Sequence, residues 1–347
     1  MISGLNGRVV RVLVVDQAST QRSGLVEVLH DSGDIVVVAQ RDNAAEAIQQ
    51  VAESRPDVVI LDLHLRGDQS QHAIEQIMAW APTPILVLSA VTDDRHSPSA
   101  VQALVAGALE ALPRPHQWTP ELGAELRRTV RLISTVHVIR HPRGGLPHGS
   151  PRDAPPRSGR QAVVAIAAST GGPSALATVL SGLAGLPAPV LVVQHLHADF
   201  ITGLAQWMSR VSALPVEVAS ARQAIIPGRI YLAPGGTHLR LCANRRLELA
   251  EFPVTVHRPS ADEMFTSLAE SAGSAGIGVV LTGMGDDGAR GLLAIRRRGG
   301  VTLAQDEASS AVFGMPHAAE RLGAVTEMLP LGKLASAIQR VVRQVHT

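Results

Sequence analysis

Short runs of β-branched and aliphatic residues alternate with segments of helical periodicity over most of the chain. In the first half, "RVLVVD", "IVVVAQ", "DVVILDL" and "PILVLSA" have the length and composition of strands buried on both faces. Between them, "RSGLVEVLH", "NAAEAIQQVAES" and "SQHAIEQIMAW" space their apolar residues three and four apart, as amphipathic helices do. This alternation predicts a doubly wound parallel sheet closed by a helix near "ELGAELRRTVRLISTVHVI". Further on the rhythm resumes. "QAVVAIAA", "APVLVVQH", "LPVEVAS", "RIYLAPG", "GIGVVLTGMG" and "GGVTLAQD" read as strands, with helices in "PSALATVLSGL", "DFITGLAQWMSRV", "SADEMFTSLAESAG" and "GARGLLAIRRRG". Two α/β domains are expected, over residues 1–139 and 161–347.

Between them, "RHPRGGLPHGSPRDAPPRSGR" (Arg140–Arg160) is dense in Pro, Gly and Arg with almost nothing to bury, and reads as an exposed linker. Aromatic residues make up only 2% of the 347-residue chain, so both cores must be built from Val, Leu, Ile and Ala. The 31 basic and 30 acidic side chains nearly cancel, which leaves no electrostatic case for nucleic acid or an anionic membrane. Cys242 is the one cysteine, which excludes an internal disulfide and suits a reducing compartment. The apolar stretch Val9–Val15 is interrupted by Arg11 and is too short for a signal peptide or a membrane span. A cytoplasmic protein that does not insert into membranes is expected.

The candidate chemistry begins at "AVVAIAASTGGPSAL" (162–176), a strand-to-helix turn that could hold a phosphate, expose a nucleophile or merely reverse the chain. Dinucleotide binding needs G-x-G-x-x-G and an acid ending the next strand; the glycines do not fit, and that strand ends in Gln194-His195. The Walker pattern fails as well, because no Lys-Ser/Thr pair follows. As a nucleophile, Ser169 would stand where helix amides face a developing negative charge, among the small residues Ala168, Gly171 and Gly172. It would need a base and an orienting carboxylate. His195 ends the next strand, and Asp286 and Asp287 lie in the Gly-rich turn of "VVLTGMGDDGARG". In a parallel sheet these turns open on the same edge, where ligands bind in such folds. A lone His there is otherwise a bystander, and an Asp in such a turn is otherwise a helix cap; a cap or surface role is expected of Asp286.

The motifs "AIAASTGGPSAL", "VVQHLHADF", "YLAPGGTHL", "HRPSADEMF", "VVLTGMGDDGARGL" and "AQDEASSAVFGMPHAA", in this order from Val163 onward, closely resemble the catalytic domain of the chemotaxis protein-glutamate methylesterase family. The resemblance implies a Rossmann-like domain with Ser169 as nucleophile, His195 as base and Asp287 as orienting acid. It places Thr170 and Met284 at the active site, the latter through its backbone amide. The implied reaction hydrolyses glutamyl methyl esters on methyl-accepting chemoreceptors, without a catalytic cofactor or metal. Two other readings stay in play: a protein glutaminase using the same residues, and a non-catalytic regulator of two modules. Of the remaining motif residues, Gly235-Gly236 should form a tight turn and His238 be structural. Ser260 should cap a helix with Glu263 completing a capping box, and His257 and Arg258 could line the substrate groove. Phe313–Pro316 should enter a helix, and Cys242 should be a buried small apolar residue.

The first half resembles a flavodoxin-like response-regulator receiver domain, through "VLVVDQAS", "DVVILDLHL", "PILVLSA" and "GALEALPRP". The resemblance makes Asp62 the phosphoacceptor, Ser89 the switch hydroxyl, Asp16 part of an Mg2+-holding acidic pair and a histidine kinase a partner. It also implies that this half shields the catalytic site. The departures fall on the chemistry. The second acid is Gln17, a poor replacement for a carboxylate bound directly to Mg2+, and the family's lysine is Arg114, a planar fork rather than a point charge. The family's motif after the acceptor has become "LRGDQS". The fold is expected to survive these changes; Mg2+ binding and phosphotransfer are not.

Overall fold

The structure is a computed structural model that describes residues 9–65, 69–90, 98–136 and 161–345. The chain divides into two compact units, Met1–Arg143 and Gly144–Thr347. The expected linker over Arg140–Arg160 lies outside the described residues.

In the first unit, strands β1 (Val10–Val15), β2 (Ile35–Arg41), β3 (Val58–Asp62), β4 (Ile85–Ala90) and β5 (Glu110–Arg114) form one parallel sheet in the order β2-β1-β3-β4-β5. Helices α1 (Ser19–His30), α2 (Ala44–Ser54), α3 (Ser70–Trp80), α4 (Pro98–Ala106) and α5 (Pro120–Ile133) connect and cover it. The order reverses beside β1, so the turns after β1 and β3 meet at a switch point. β3 is buried at every position, as its unbroken apolar run predicts.

The second unit holds a parallel sheet of seven strands in the order β14-β13-β12-β6-β7-β9-β8. Its strands are β6 (Val163–Ala168), β7 (Val190–Gln194), β8 (Val216–Val218), β9 (Ile230–Leu232), β12 (Gly276–Val280), β13 (Val301–Gln305) and β14 (Glu327–Leu329). An antiparallel hairpin of β10 (His238–Leu241) and β11 (Leu247–Ala250) stands apart. Neither the hairpin nor β14 is expected from the hydrophobic pattern: each is only three or four residues long, too short to show a period. Helices α6 (Gly172–Ser181), α7 (Ile201–Val211), α8 (Ala261–Ala272), α9 (Ala289–Arg297), α10 (Met315–Arg321) and α11 (Leu331–Val345) complete the unit.

β6 lies between β7 and β12, and all three are fully buried. The chain runs from β6 to one side through β7 and returns on the other side through β12. That reversal places the three loops at the carboxyl ends of these strands side by side. One core face packs Phe265, Met264 and Leu268 of α8 and Leu292 and Ile295 of α9 against the central strands. With few aromatics, close helix approach depends on small residues. Gly291 N–H donates to Asp262 Oδ1 at 2.8 Å. A Cβ on Gly291 would lie 2.6 Å from the Asp262 carbonyl oxygen and 2.7 Å from Phe265 Cβ. Gly291→Ala must therefore push α9 off α8. It is expected to cost about 1–3 kcal/mol as overpacking, lowering Tm by about 2–4 °C per kcal/mol in a domain of this size. An unchanged melting curve would contradict the account of this contact.

Candidate active site

Ser169 stands one residue beyond β6, His195 one residue beyond β7, and Asp287 in the loop between β12 and α9. The strand pairing runs on past the formal strand ends. His195 N–H donates to Ala168 O at 3.0 Å and Ser169 N–H to Thr282 O at 3.0 Å, so all three loops are stitched together at their bases. Gln194 tightens this further. Its buried Nε2 donates to Ser169 O at 2.8 Å and to His195 O at 2.9 Å, one amide clamping both backbones. Sequence reasoning passes over Gln194 because its side chain offers no chemistry of its own; only the geometry gives it a role.

Ser169 is buried, and so is Thr170 beside it. Gly283 explains how the loop after β12 comes so close. A Cβ there would sit 2.7 Å from Ser169 Cβ and would also strike Met315 Sδ, so any larger residue would displace the serine. Thr282 Oγ1 donates to Thr170 O at 3.0 Å and accepts from Val312 N–H at 2.9 Å, pinning this loop to the segment before α10. Among the described residues, neither the Thr170 nor the Met284 amide N–H has a hydrogen-bond partner.

His195 Nε2 lies 2.8 Å from Asp287 Oδ2. The other ring nitrogen, Nδ1, is buried with no partner among the described residues. The Asp287 carboxylate is an acceptor surrounded by donors. Oδ1 receives Ser260 Oγ–H at 2.8 Å and Asp262 N–H at 3.0 Å, and Oδ2 receives Ala261 N–H at 2.7 Å. The last two amides open α8, so the acid sits at a helix N-terminus that is not its own. Burial pushes the Asp287 carboxyl up. The His195 hydrogen bond and charge, together with the Asp262 and Ala261 amides, outweigh burial and hold it well below the usual carboxylate range. When the imidazole is neutral, an ionised acceptor on Oδ2 places its proton on Nε2 and leaves a lone pair on Nδ1. The His257 ring stacks on His195 with centroids 4.2 Å apart and planes 7° from parallel, holding the imidazole from its face.

The other motif residues take simpler places. Asp286 is exposed, and its carbonyl receives the Ala289 amide. His238 is fully buried between the Ser260 amide on Nδ1 and Pro253 O on Nε2, a structural role as expected. Ser260 does cap α8, with its Oγ accepting from Glu263 N–H at 3.4 Å. The capping box is not completed, because Glu263 pairs instead with Arg240 (Nε–Oε2 2.9 Å) and the Ser260 amide is taken by His238. Cys242 is also a correction: it is only half-buried, its sulfur 4.0 Å from Glu248 Oε2 in the polar end of the β10–β11 hairpin. Pro316 lies in the first turn of α10, as the "FGMP" stretch predicts.

At the corresponding edge of the first unit, Asp16 follows β1, Asp62 ends β3, Ser89 lies in β4 and Arg114 ends β5. Arg114 clamps the two acids: Nη1 donates to Asp62 Oδ2 at 2.6 Å and Nη2 to Asp16 Oδ2. His64 Nδ1 lies 3.6 Å from the other Asp62 oxygen. These residues do not fit Mg2+. A fixed guanidinium already engages the carboxylate oxygens that would face the ion, and Gln17 is an exposed neutral amide. Among the described residues, no cluster of three His, Cys, Asp or Glu could hold a metal, and no helix is long and apolar enough to cross a membrane.

Residues 164–338 match the family described as CheB methylesterase, and residues 12–122 match the response regulator receiver domain. The chain is 42% identical over 338 residues to "Protein-glutamate methylesterase/protein-glutamine glutaminase 3" of Myxococcus xanthus strain DK1622, covering 95% of this chain and 93% of that protein. It is 43% identical over 343 residues to "Protein-glutamate methylesterase/protein-glutamine glutaminase 2" of Anaeromyxobacter dehalogenans strain 2CP-C, covering 97% and 98%. Among solved structures, the CheB methylesterase catalytic domain of Thermotoga maritima superposes with a TM-score of 0.50 at 34% identity, covering 52% of this chain and 98% of that one.

The ionised Asp287 carries a stability prediction. Its folded-state pKa lies below the unfolded value of about 4, so its contribution is present at neutral pH and lost as the pH falls below about 4. Asp287→Asn is expected to lower Tm at about pH 7 and to begin losing that deficit as the pH falls below about 4, with much of it still present at about pH 3. A deficit independent of pH would show that the charge is not what the surrounding amides stabilise.

Proposed function

The chain belongs to the CheB methylesterase family, and on that premise we propose that Ser169, His195 and Asp287 form the catalytic triad of its methylesterase activity. The observation that supports this reading is the hydrogen bond from His195 to a carboxylate held at a helix N-terminus, with the His195 amide paired to the residue before the buried Ser169. His195 Nδ1 takes the Ser169 proton as Oγ attacks the γ-carbonyl of a glutamyl methyl ester. The resulting oxyanion is met by the Thr170 and Met284 amides, each worth about 3–4 kcal/mol in the transition state. Collapse expels methanol with the proton from His195. Water, deprotonated by the same nitrogen, then attacks the acyl-enzyme; the bond to Ser169 Oγ breaks, Oγ takes the proton back from His195, and the substrate leaves with a glutamyl side-chain carboxyl group. Asp287 keeps the imidazole in one tautomer throughout and stabilises its protonated form. The same steps on a glutamine side chain release ammonia, the second activity in the names of the relatives.

The substrates are methyl-accepting chemoreceptors met in the cytoplasm, and residues 161–347 carry the activity while residues 1–139 regulate it through a linker. The paired imidazole and carboxylate weigh against a purely non-catalytic regulator. Asp62 does not serve as a phosphate acceptor for a histidine kinase: the Arg114 clamp supplies the neutralising charge permanently.

Two measurements test this. Purified protein incubated with methylated receptors should release methanol, and Ser169→Ala should reduce turnover by about a millionfold. Turnover retained in that variant would remove Ser169 from the mechanism. For the first unit, acetyl phosphate with Mg2+ should leave the protein unlabelled, and stoichiometric labelling of Asp62 would overturn the assignment made to Arg114.

A further inference from the structure

A protein substrate must rest on surface beyond the reacting atoms, and one loop at the edge of the site has the chemistry for this. Between β11 and α8, the stretch Phe252–Val256 leaves Phe252, Val254 and Val256 exposed at 70%, 72% and 77%. Among the described residues of the second unit, Ile226 and Leu322 are the other large hydrophobics exposed in this way, so most of the exposed large apolar surface gathers in five residues. The loop is tied down rather than hanging free. His238 Nε2 hydrogen-bonds Pro253 O at 2.8 Å, Arg240 Nη2 donates to Phe252 O at 3.3 Å, and Thr255 Oγ1 donates to His257 O at 2.5 Å. The residue after Val256 is His257, whose ring lies on His195. The apolar strip is therefore continuous with the catalytic edge through a single residue, and it is flanked by Glu251 on one side and Arg258 on the other.

We propose that Phe252, Val254 and Val256 form the docking strip for apolar side chains flanking the methyl-esterified glutamate of the protein substrate. The inference rests on the esterase reading above. A fixed apolar patch kept in water marks a binding surface, and its continuity with His195 favours the substrate over other occupants. A glutamyl side chain entering the site brings its neighbouring residues to this rim, where an apolar face edged by both charge signs finds its complement. Docking of this kind separates large substrates from small ones, because a minimal ester needs only the triad and the oxyanion amides.

The test uses the full chain and two substrates, a methylated receptor and N-acetyl-glutamate γ-methyl ester. In the Phe252→Ser, Val254→Ser and Val256→Ser triple variant, the ratio of receptor to small-ester kcat/KM is expected to fall about tenfold or more, equivalent to about 1.4 kcal/mol. The loss should appear in the receptor KM. Phe252→Leu, which keeps the apolar character, should hold the wild-type ratio. An unchanged ratio in the triple variant would overturn the proposal. So would a rise in small-ester turnover, which would mean that another part of this chain occupies the strip, or a shift in sedimentation from dimer to monomer, which would assign it to a second copy. Wild-type protein inert toward both esters would overturn the esterase reading and this inference with it, an outcome distinct from a wild type active on both whose ratio ignores the strip.

Discussion

The candidate active site is organised around one part-buried carboxylate. Asp287 accepts from Ser260 Oγ, from the first two amides of α8 and from His195, and these donors come from two separate parts of the chain. A helix N-terminus supplies fixed dipoles that replace the water a part-buried anion gives up. Because the anion is held by α8 and in turn holds His195, the placement of a core-packed helix bears on the tautomer of that ring. The α8–α9 contact at Gly291 belongs to the same constraint, since α9 begins immediately after the Asp287 loop and Asp262 serves both helices.

The two units show how one architecture can carry opposite electrostatics at the same edge. Each presents acids at the carboxyl ends of parallel strands near a switch point. In the second unit the acid is paired with an imidazole, a group that can take and return a proton. In the first unit Asp16 and Asp62 share the planar fork of one guanidinium.

Small residues make the close approach at this edge possible in a protein with few aromatics. Ala168, Gly172 and Gly283 let Ser169, Gln194 and the loop after β12 approach to backbone distance. The larger groups then act on the assembled edge: Gln194 clamps two backbones from below, and His257 covers the imidazole.

Periodicity and residue type alone determined the two parallel sheets, because buried strands leave apolar runs that nothing else explains and helices leave a spacing of three and four. They also marked Ser169 and His195, since both stand at ends of legible strands, and the family motifs singled out Asp287 over Asp286. What the tertiary structure alone decided are relations between distant segments. The seventh strand and the β10–β11 hairpin are too short to carry a pattern, and they are fixed by pairing with neighbours. That Glu263 serves Arg240 and not its own helix cap, that Gln194 clamps, and that Arg114 takes both acids all depend on side chains far apart in the chain meeting within 3.5 Å. A hydrogen bond is directional and short, so its partner is chosen by folded geometry, and no local feature of the sequence encodes that choice.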